Sequence, residues 1–244
     1  MLDGRIAVSE SARETVNRYV PDNYQVIPNG IDFRLFSEPA PPPPHLRDTR
    51  PTILFVGRLE PRKGVQVLLR AFDSLRHRIP GLRLVVVGEG SMDVALRKWA
   101  RDHGLRDVLF EGYQPRQALP AYYHRADVFC APSTENESFG ITLLEAMAAA
   151  RPVIATEGNG SHTLGKDGET GIIVRPGDPV PLENAIERLL EDRRTGERLG
   201  AAARNRANEF DWSIVARSIT EYYAEVAVAP TVSLKLASPY SAGP

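Results

Sequence analysis

The chain has 244 residues and a single cysteine, Cys130, so no disulfide framework can form within it, and a reducing cytoplasm fits. Cys130 stands in Val128-Phe129-Cys130-Ala131 and is expected to be a buried core thiol. Charge of one sign is not in excess: 30 Lys+Arg stand against 31 Asp+Glu, formal net −1. That balance argues against the basic footprint of a nucleic-acid binder. No apolar run reaches membrane-spanning length. Met1-Leu2-Asp3-Gly4-Arg5 lacks the apolar stretch of a signal peptide. His45, His77, His103, His124 and His162 do not have metal-ligand spacing, so no metal site is expected. Ser133 and Ser138 have no nucleophile-elbow context. Lysine is scarce, confined to Lys63, Lys98, Lys166 and Lys235, which makes Lys63 in Pro61-Arg62-Lys63-Gly64 stand out.

What is present is an alternation of short apolar runs and amphipathic segments. Strands are expected at 6–8, 25–27, 52–56, 82–87, 108–110, 128–131, 153–155 and 172–174. Helices are expected at about 10–19 and at 65–78, 92–103, 116–124, 140–150, 182–192, 197–209 and 213–226. The run 52–56 is continuously apolar and ends at Gly57, as a buried parallel strand would. Such alternation implies an α/β fold: a Rossmann-like parallel sheet with helices on both faces, binding ligands beyond the carboxyl ends of its strands. Proline density from Glu38 to Pro44 predicts an extended, solvated linker over 37–50, with a domain boundary near residue 50. The main domain is expected over 51–212, a last helix over 213–227 and a flexible tail over 228–244.

Four groups could carry chemistry. Gly57-Arg58-Leu59-Glu60-Pro61-Arg62-Lys63-Gly64 follows a strand and precedes a helix, where Arg58 and Lys63 can reach a diphosphate. The alternative is a solvated loop. Glu137-Ser138-Phe139-Gly140-Ile141 leads into a helix that carries Glu145 among Leu143, Leu144, Ala146 and Met147. Glu137 could simply favour a helix N-terminus. Glu145 needs a partner in that apolar setting: ligand hydroxyls, a buried water or a core arginine. The helix-start Gly140 and the free N–H groups there suit phosphate, and hydroxyls with phosphate suggest a sugar nucleotide. Gly88-Glu89-Gly90-Ser91-Met92-Asp93 has Asp93 at the third glycine position of a dinucleotide fingerprint and reads as a turn opening a helix. Gly112-Tyr113-Gln114 could place backbone groups beside a nucleobase. His162, in the loop 158–165, reads as a surface histidine.

In order along the chain, these segments resemble the C-terminal half of a family 4 retaining glycosyltransferase of the GT-B fold. The markers are Val8-Ser9-Glu10-Ser11-Ala12-Arg13, Ile27-Pro28-Asn29-Gly30-Ile31-Asp32, Val56-Gly57-Arg58-Leu59 with Lys63-Gly64, Val87-Gly88-Glu89-Gly90, Ala126-Asp127-Val128, the Glu137–Glu145 stretch and Asp167-Gly168-Glu169-Thr170-Gly171. Within the family it is most similar to phosphatidylinositol mannosyltransferases, through Pro61-Arg62-Lys63-Gly64, Glu137-Ser138-Phe139-Gly140 and Phe210-Asp211-Trp212-Ser213.

The resemblance implies that Arg58 and Lys63 hold the donor diphosphate without a metal, and that Glu137 binds hydroxyls of the transferred sugar. It implies that Gly57, Phe139, Gly140 and Ile141 approach the donor with their backbones, that Glu145 holds the ribose, and that Tyr113 lies beside the base. No cofactor is implied beyond the donor, GDP-mannose first and a UDP-hexose as the alternative. Residues 1–36 are then a remnant of an N-terminal acceptor domain that is largely missing, or that a partner chain supplies. The last helix would leave Ile219, Tyr222 and Tyr223 as a contact patch. A cytoplasmic location is implied, with peripheral association at the inner face of the cell membrane left open. Two other readings stand: a sugar-nucleotide-binding subunit without transferase activity, and an inactive gene fragment. The sequence departs from the family where Ala150-Arg151 replace a glycine before Pro152-Val153, and where the loop 158–165 lacks an acidic residue. Ala150 is a mild change unless a positive φ is needed.

Overall fold

The structure is a computed structural model that describes residues 4–135, 139–158 and 165–228. The expected site residue Glu137 and the loop residue His162 lie outside the described residues. At the start, β1 (Ile6–Ala7) and β2 (Gln25–Val26) pair in parallel around α1 (Glu10–Asn17), which Ser9 caps by accepting from the Ala12 N–H. Next come α2 (Phe33–Ser37), β3 (Thr52–Val56), α3 (Val65–Leu75), β4 (Arg83–Val87), α4 (Asp93–Asp102), β5 (Val108–Gly112) and α5 (Leu119–Arg125). They are followed by β6 (Val128–Ala131), α6 (Ile141–Ala148), β7 (Val153–Thr156), β8 (Ile172–Val174), α7 (Pro179–Glu191), α8 (Arg193–Asn208) and α9 (Trp212–Val228). Among the described residues, β3 to β8 form one parallel sheet in the order β5-β4-β3-β6-β7-β8.

Every residue of β3 and β4 is buried, because helices cover both faces. Side chains alternate between two apolar clusters, as a period of two requires. Ile53, Phe55, Leu84, Val86 and Cys130 face one cluster with Leu68, Leu69 and Phe72 of α3. Leu54, Val56, Val85, Val87 and Phe129 face the other with Tyr123 of α5 and Leu143, Leu144 and Met147 of α6. The order of strand addition reverses between β3 and β6: β4 and β5 are laid down on one side, β7 and β8 on the other. That reversal opens a crevice beyond the carboxyl ends of β3 and β6.

The helices begin where local chemistry sets them. Asp178 accepts from the Val180 N–H with Pro179 in the first turn, and Asp192 accepts from the Thr195 N–H, so α7 and α8 start earlier than periodicity alone suggests. The segment expected as one helix over 116–124 divides into a 3₁₀ turn at Arg116–Ala118 and then α5. The expected linker is not solvated throughout: Leu46, in the 3₁₀ turn Pro44–Leu46, is 1% exposed. Just before it, Ile31 and Phe36 are fully buried in the main domain. Apolar side chains flanking the prolines pull that segment onto the core. Two sequence markers far apart meet here. Ile31 N–H donates to Phe210 O at 2.8 Å, and Trp212 N–H donates to Ile31 O at 3.0 Å. The α9 patch is smaller than expected. Ile219 and Tyr222 are half-buried, and the Tyr222 hydroxyl accepts from the Arg5 N–H at 3.0 Å. Tyr223 alone of the three is exposed, at 63%.

Candidate functional site

The loops leaving β3, β4 and β6 interlock. Gly57 N–H donates to Val87 O at 3.0 Å, Leu59 N–H to Glu89 O at 2.9 Å and Met92 N–H to Leu59 O at 2.8 Å. Gly88-Glu89-Gly90 thus supports the Gly57 loop from beneath and opens α4, as the sequence suggested. Across the switch point, Thr134 N–H donates to Arg62 O at 2.8 Å. Gly64, at φ 69°, fits against Pro132: a Cβ there would sit 1.8 Å from the Pro132 carbonyl oxygen. Only glycine tolerates both the φ and the approach. The consequence is that Lys63, Ser133, Gly140 and Thr142 line one seam, which encloses about 20 Å³, room for about one water.

The cations sit at the rim. Arg58 is 69% exposed in its side chain and pairs with Glu60 at 2.9 Å, and the same carboxylate receives Arg62 at 3.1 Å. Two guanidiniums therefore reach one carboxylate, next to Lys63 in sequence. Gly140, at φ 85°, is the N-cap of α6. Leu143 and Leu144 N–H both donate to Gly140 O, while the earlier N–H groups of the first turn have no acceptor inside the helix. Those groups lie at the helix start where Gly140 and Thr142 line the seam, a setting favourable to an anion. Phe139 fixes the entry: it is buried, with its ring 5.9 Å from Phe210 in an edge arrangement.

Glu145 lies one turn into α6 and is 4% exposed. Its partner is a residue that the sequence reading did not single out: Tyr123 Oη donates to Glu145 Oε2 at 2.8 Å. Burial pushes the Glu145 carboxyl up to about 7, against the pull of the Tyr123 hydrogen bond and the Arg116 charge. Burial and the Glu145 charge together hold the Tyr123 phenol protonated. Tyr113 is 71% exposed at the end of β5, where its N–H donates to Glu89 Oε1 at 3.3 Å. The expected residues Gly57, Arg58, Lys63, Phe139, Gly140, Ile141 and Glu145 therefore gather at the β3/β6 end, and Tyr113 stands at the neighbouring β5 end. Among the described residues no three His, Cys, Asp or Glu side chains converge as a metal site. The Ala150 substitution is not mild: its φ is 56°, a left-handed conformation that a Cβ disfavours.

The model of the family "Glycosyl transferases group 1" matches residues 37–206. A phosphatidyl-myo-inositol mannosyltransferase of Mycobacterium leprae is 38% identical over 226 residues, 92% of this chain and 59% of the relative. A D-inositol 3-phosphate glycosyltransferase of Paenarthrobacter aurescens is 35% identical over 227 residues, 88% of this chain and 55% of the relative. The chain thus spans well under two thirds of the length of these relatives. Among solved structures, an Anabaena protein (Alr3699/HepE) in complex with UDP and glucose superposes with a TM-score of 0.82 at 23% identity, covering 92% of this chain and 63% of that one. A sucrose-phosphate synthase from Thermosynechococcus elongatus superposes at 0.78 with 30% identity, covering 92% and 58%. With the interlocked loops at the carboxyl ends of a parallel sheet, these matches place the chain: it belongs to the group 1 glycosyltransferases, with the fold of a GT-B C-terminal half.

Proposed function

We propose that this chain is the donor-binding part of a retaining, metal-independent glycosyltransferase that uses a nucleotide sugar. The observation that carries the reading is the joining of Lys63, Ser133 and the α6 start into one seam at the switch point, with Arg58 on its rim. Transfer breaks the bond between the anomeric carbon and the diphosphate and forms one to an acceptor oxygen, whose proton passes to the departing diphosphate and then to water. Negative charge grows on the departing diphosphate. Arg58 and Lys63, with the α6 N-terminus, stabilise that charge, which is the role a metal would otherwise fill. Phe139, Gly140 and Ile141 offer N–H groups to sugar and diphosphate. Gly57 lets the donor approach the backbone, Glu137 takes hydroxyls of the transferred sugar, Glu145 takes the ribose and Tyr113 stands beside the base.

The names of the curated relatives favour GDP-mannose as donor. The nucleotide in the Anabaena structure keeps a UDP-hexose as the alternative. The acceptor, a lipid or a saccharide, belongs to an N-terminal domain or partner chain that completes the enzyme. A cytoplasmic site of action, against the inner membrane face when the acceptor is a lipid, follows from the same reading. Among the described residues no helix is long and apolar enough to cross a membrane.

Calorimetric titration with GDP, UDP, GDP-mannose and UDP-glucose tests the reading, each repeated on Lys63→Ala. Saturable binding of one nucleotide family, lost in the variant, is expected. Equal binding by the variant would remove Lys63 from the site, and binding of none would contradict the reading.

A further inference from the structure

The two oxygens of Glu145 are not equivalent. Oε2 accepts from Tyr123 Oη, while Oε1 takes no hydrogen bond among the described residues. It is not sealed in either: the one sealed side-chain polar atom without a partner among the described residues is Gln66 Oε1. On a helix, a side chain leans toward the N-terminus over the residues three and four before it. For Glu145 these are Thr142, which lines the crevice seam, and Ile141, which is 42% exposed. Oε1 is thus the Glu145 oxygen left open to a ligand. Tyr123 is itself held still, fully buried with its ring between Phe36 (5.7 Å) and Phe129 (5.6 Å). Its neighbour Tyr122 is directed to a different carboxylate, Glu111, at 3.0 Å.

We propose that Tyr123 is a positioning residue for ligand binding: its hydroxyl occupies Glu145 Oε2 and so commits Oε1 to the vicinal hydroxyls of a bound ribonucleotide. This rests on the donor-binding reading above. An ionised carboxylate only accepts, which suits a diol, whereas a protonated one competes as a donor. The Tyr123 hydroxyl favours the ionised form, so it also sets the pH below which the site loses affinity. Among the described residues no other ionisable group offsets this role. α6 carries none besides Glu145. On α5, His124 is bonded to Phe36 O and Arg125 to Leu46 O and Arg50 O. Arg34 of α2 pairs with Glu38. On α8, Arg193 pairs with Glu197, Arg198 reaches Gly168 O, Arg206 pairs with Glu209, Arg194 is exposed and Arg204 acts on His124. Tyr123 and Arg116 are the groups that act on Glu145.

The test uses two readouts on the same chain, in wild type, Tyr123→Phe and Glu145→Gln, with thermal melts to verify folding. The first is the Glu145 carboxyl ¹³C titration without ligand, assigned by its loss in Glu145→Gln. In Tyr123→Phe its midpoint is expected to move up by about one pH unit, because a hydrogen bond to a charged group is lost. The second is the affinity for GDP-mannose and UDP-glucose between pH 5.5 and 9, since sugar nucleotides have no terminal phosphate ionisation to confuse the profile. Wild type is expected to lose affinity as pH falls through the Glu145 midpoint. Tyr123→Phe should lose it at higher pH, and Glu145→Gln should show no such step. An unmoved ¹³C midpoint in Tyr123→Phe, or affinity lowered equally at every pH, would overturn the proposal while leaving the donor site standing. A moved midpoint with no sugar-nucleotide binding at any pH in wild type would sink the donor reading, and this inference with it. Should Tyr123→Phe fail to fold, Glu145→Gln decides alone: a surviving pH step there overturns the proposal.

Discussion

At the amino-terminal pole of the sheet, the Arg83 side chain is 2% exposed and donates two hydrogen bonds of 3.0 Å to the Asp48 carboxylate. It also donates to Thr52 Oγ1 at 3.0 Å. Arg125 beside it, 11% exposed, donates to the carbonyls of Leu46 and Arg50 and to Asp127. A cavity of about 330 Å³ opens at this pole, but its cations Arg151 and Arg193 face Asp127 and Glu197, so the charges there balance. At the carboxy-terminal pole, Arg58 and Arg62 both reach the carboxylate of Glu60, Arg58 is largely exposed, and among the described residues no acidic side chain lines the seam below. The same residue types thus hold the chain together at one end of the strands and, in the donor-binding reading proposed above, meet a ligand at the other. Cavity volume and strand direction point to opposite ends, and the proposed donor site follows strand direction.

The sharpest way to break this contrast is to exchange roles. Arg83→Met should cost about 3–5 kcal/mol in urea unfolding, since it breaks a buried charged network, and should leave nucleotide affinity within about twofold. A large loss of affinity with little change in stability would undo the division of labour. Glu145→Gln comes next. In the folded chain burial raises the carboxyl from 4.5 to about 7, so ionising it costs stability. That stability is full below the ordinary carboxyl range and falls as pH climbs to about 7, by roughly 3 kcal/mol in all. The glutamine variant lacks this slope, so it should be the more stable of the two at pH 8, with the gap closing near pH 4.5. A gap independent of pH would mean that Glu145 is not desolvated.

Much of this was legible in the sequence. The continuous apolar run 52–56, the alternation of strands and helices, and the buried Cys130 all follow from local pattern, because the pattern itself reports burial on both sheet faces. The meeting of the glycine- and cation-bearing loops at the carboxyl ends of β3 and β6 was legible for a related reason, since each follows directly on a strand of a parallel sheet. Tyr123 was not legible. Its partner lies 22 residues away on another helix, and nothing in Ala121-Tyr122-Tyr123 says which of two tyrosines faces which of two carboxylates. The burial of Leu46 was masked by the prolines before it, which report backbone stiffness but not where the next side chain goes. Ala150 was read as mild unless a positive φ is needed, and that condition could be settled only by the structure, because φ cannot be read from a single residue.

Two smaller effects separate the poles further. Arg58→Ala should weaken nucleotide binding by about tenfold while unfolding stability shifts by less than about 0.5 kcal/mol. A stability loss as large as that of Arg83→Met would make Arg58 structural. Ala150→Gly should add about 1 kcal/mol by relieving the left-handed strain, with no effect on nucleotide affinity. Unchanged or lowered stability would mean that this backbone bears no strain.

The central claim is that a nucleotide diphosphate binds at the β3/β6 end of the sheet. Amide chemical-shift mapping during titration with GDP and UDP tests it most directly. The account predicts the largest shifts at Arg58, Lys63, Gly140, Ile141 and Thr142. Shifts centred instead on Arg151, Arg193 and Gly196, around the larger cavity at the opposite pole, would contradict it.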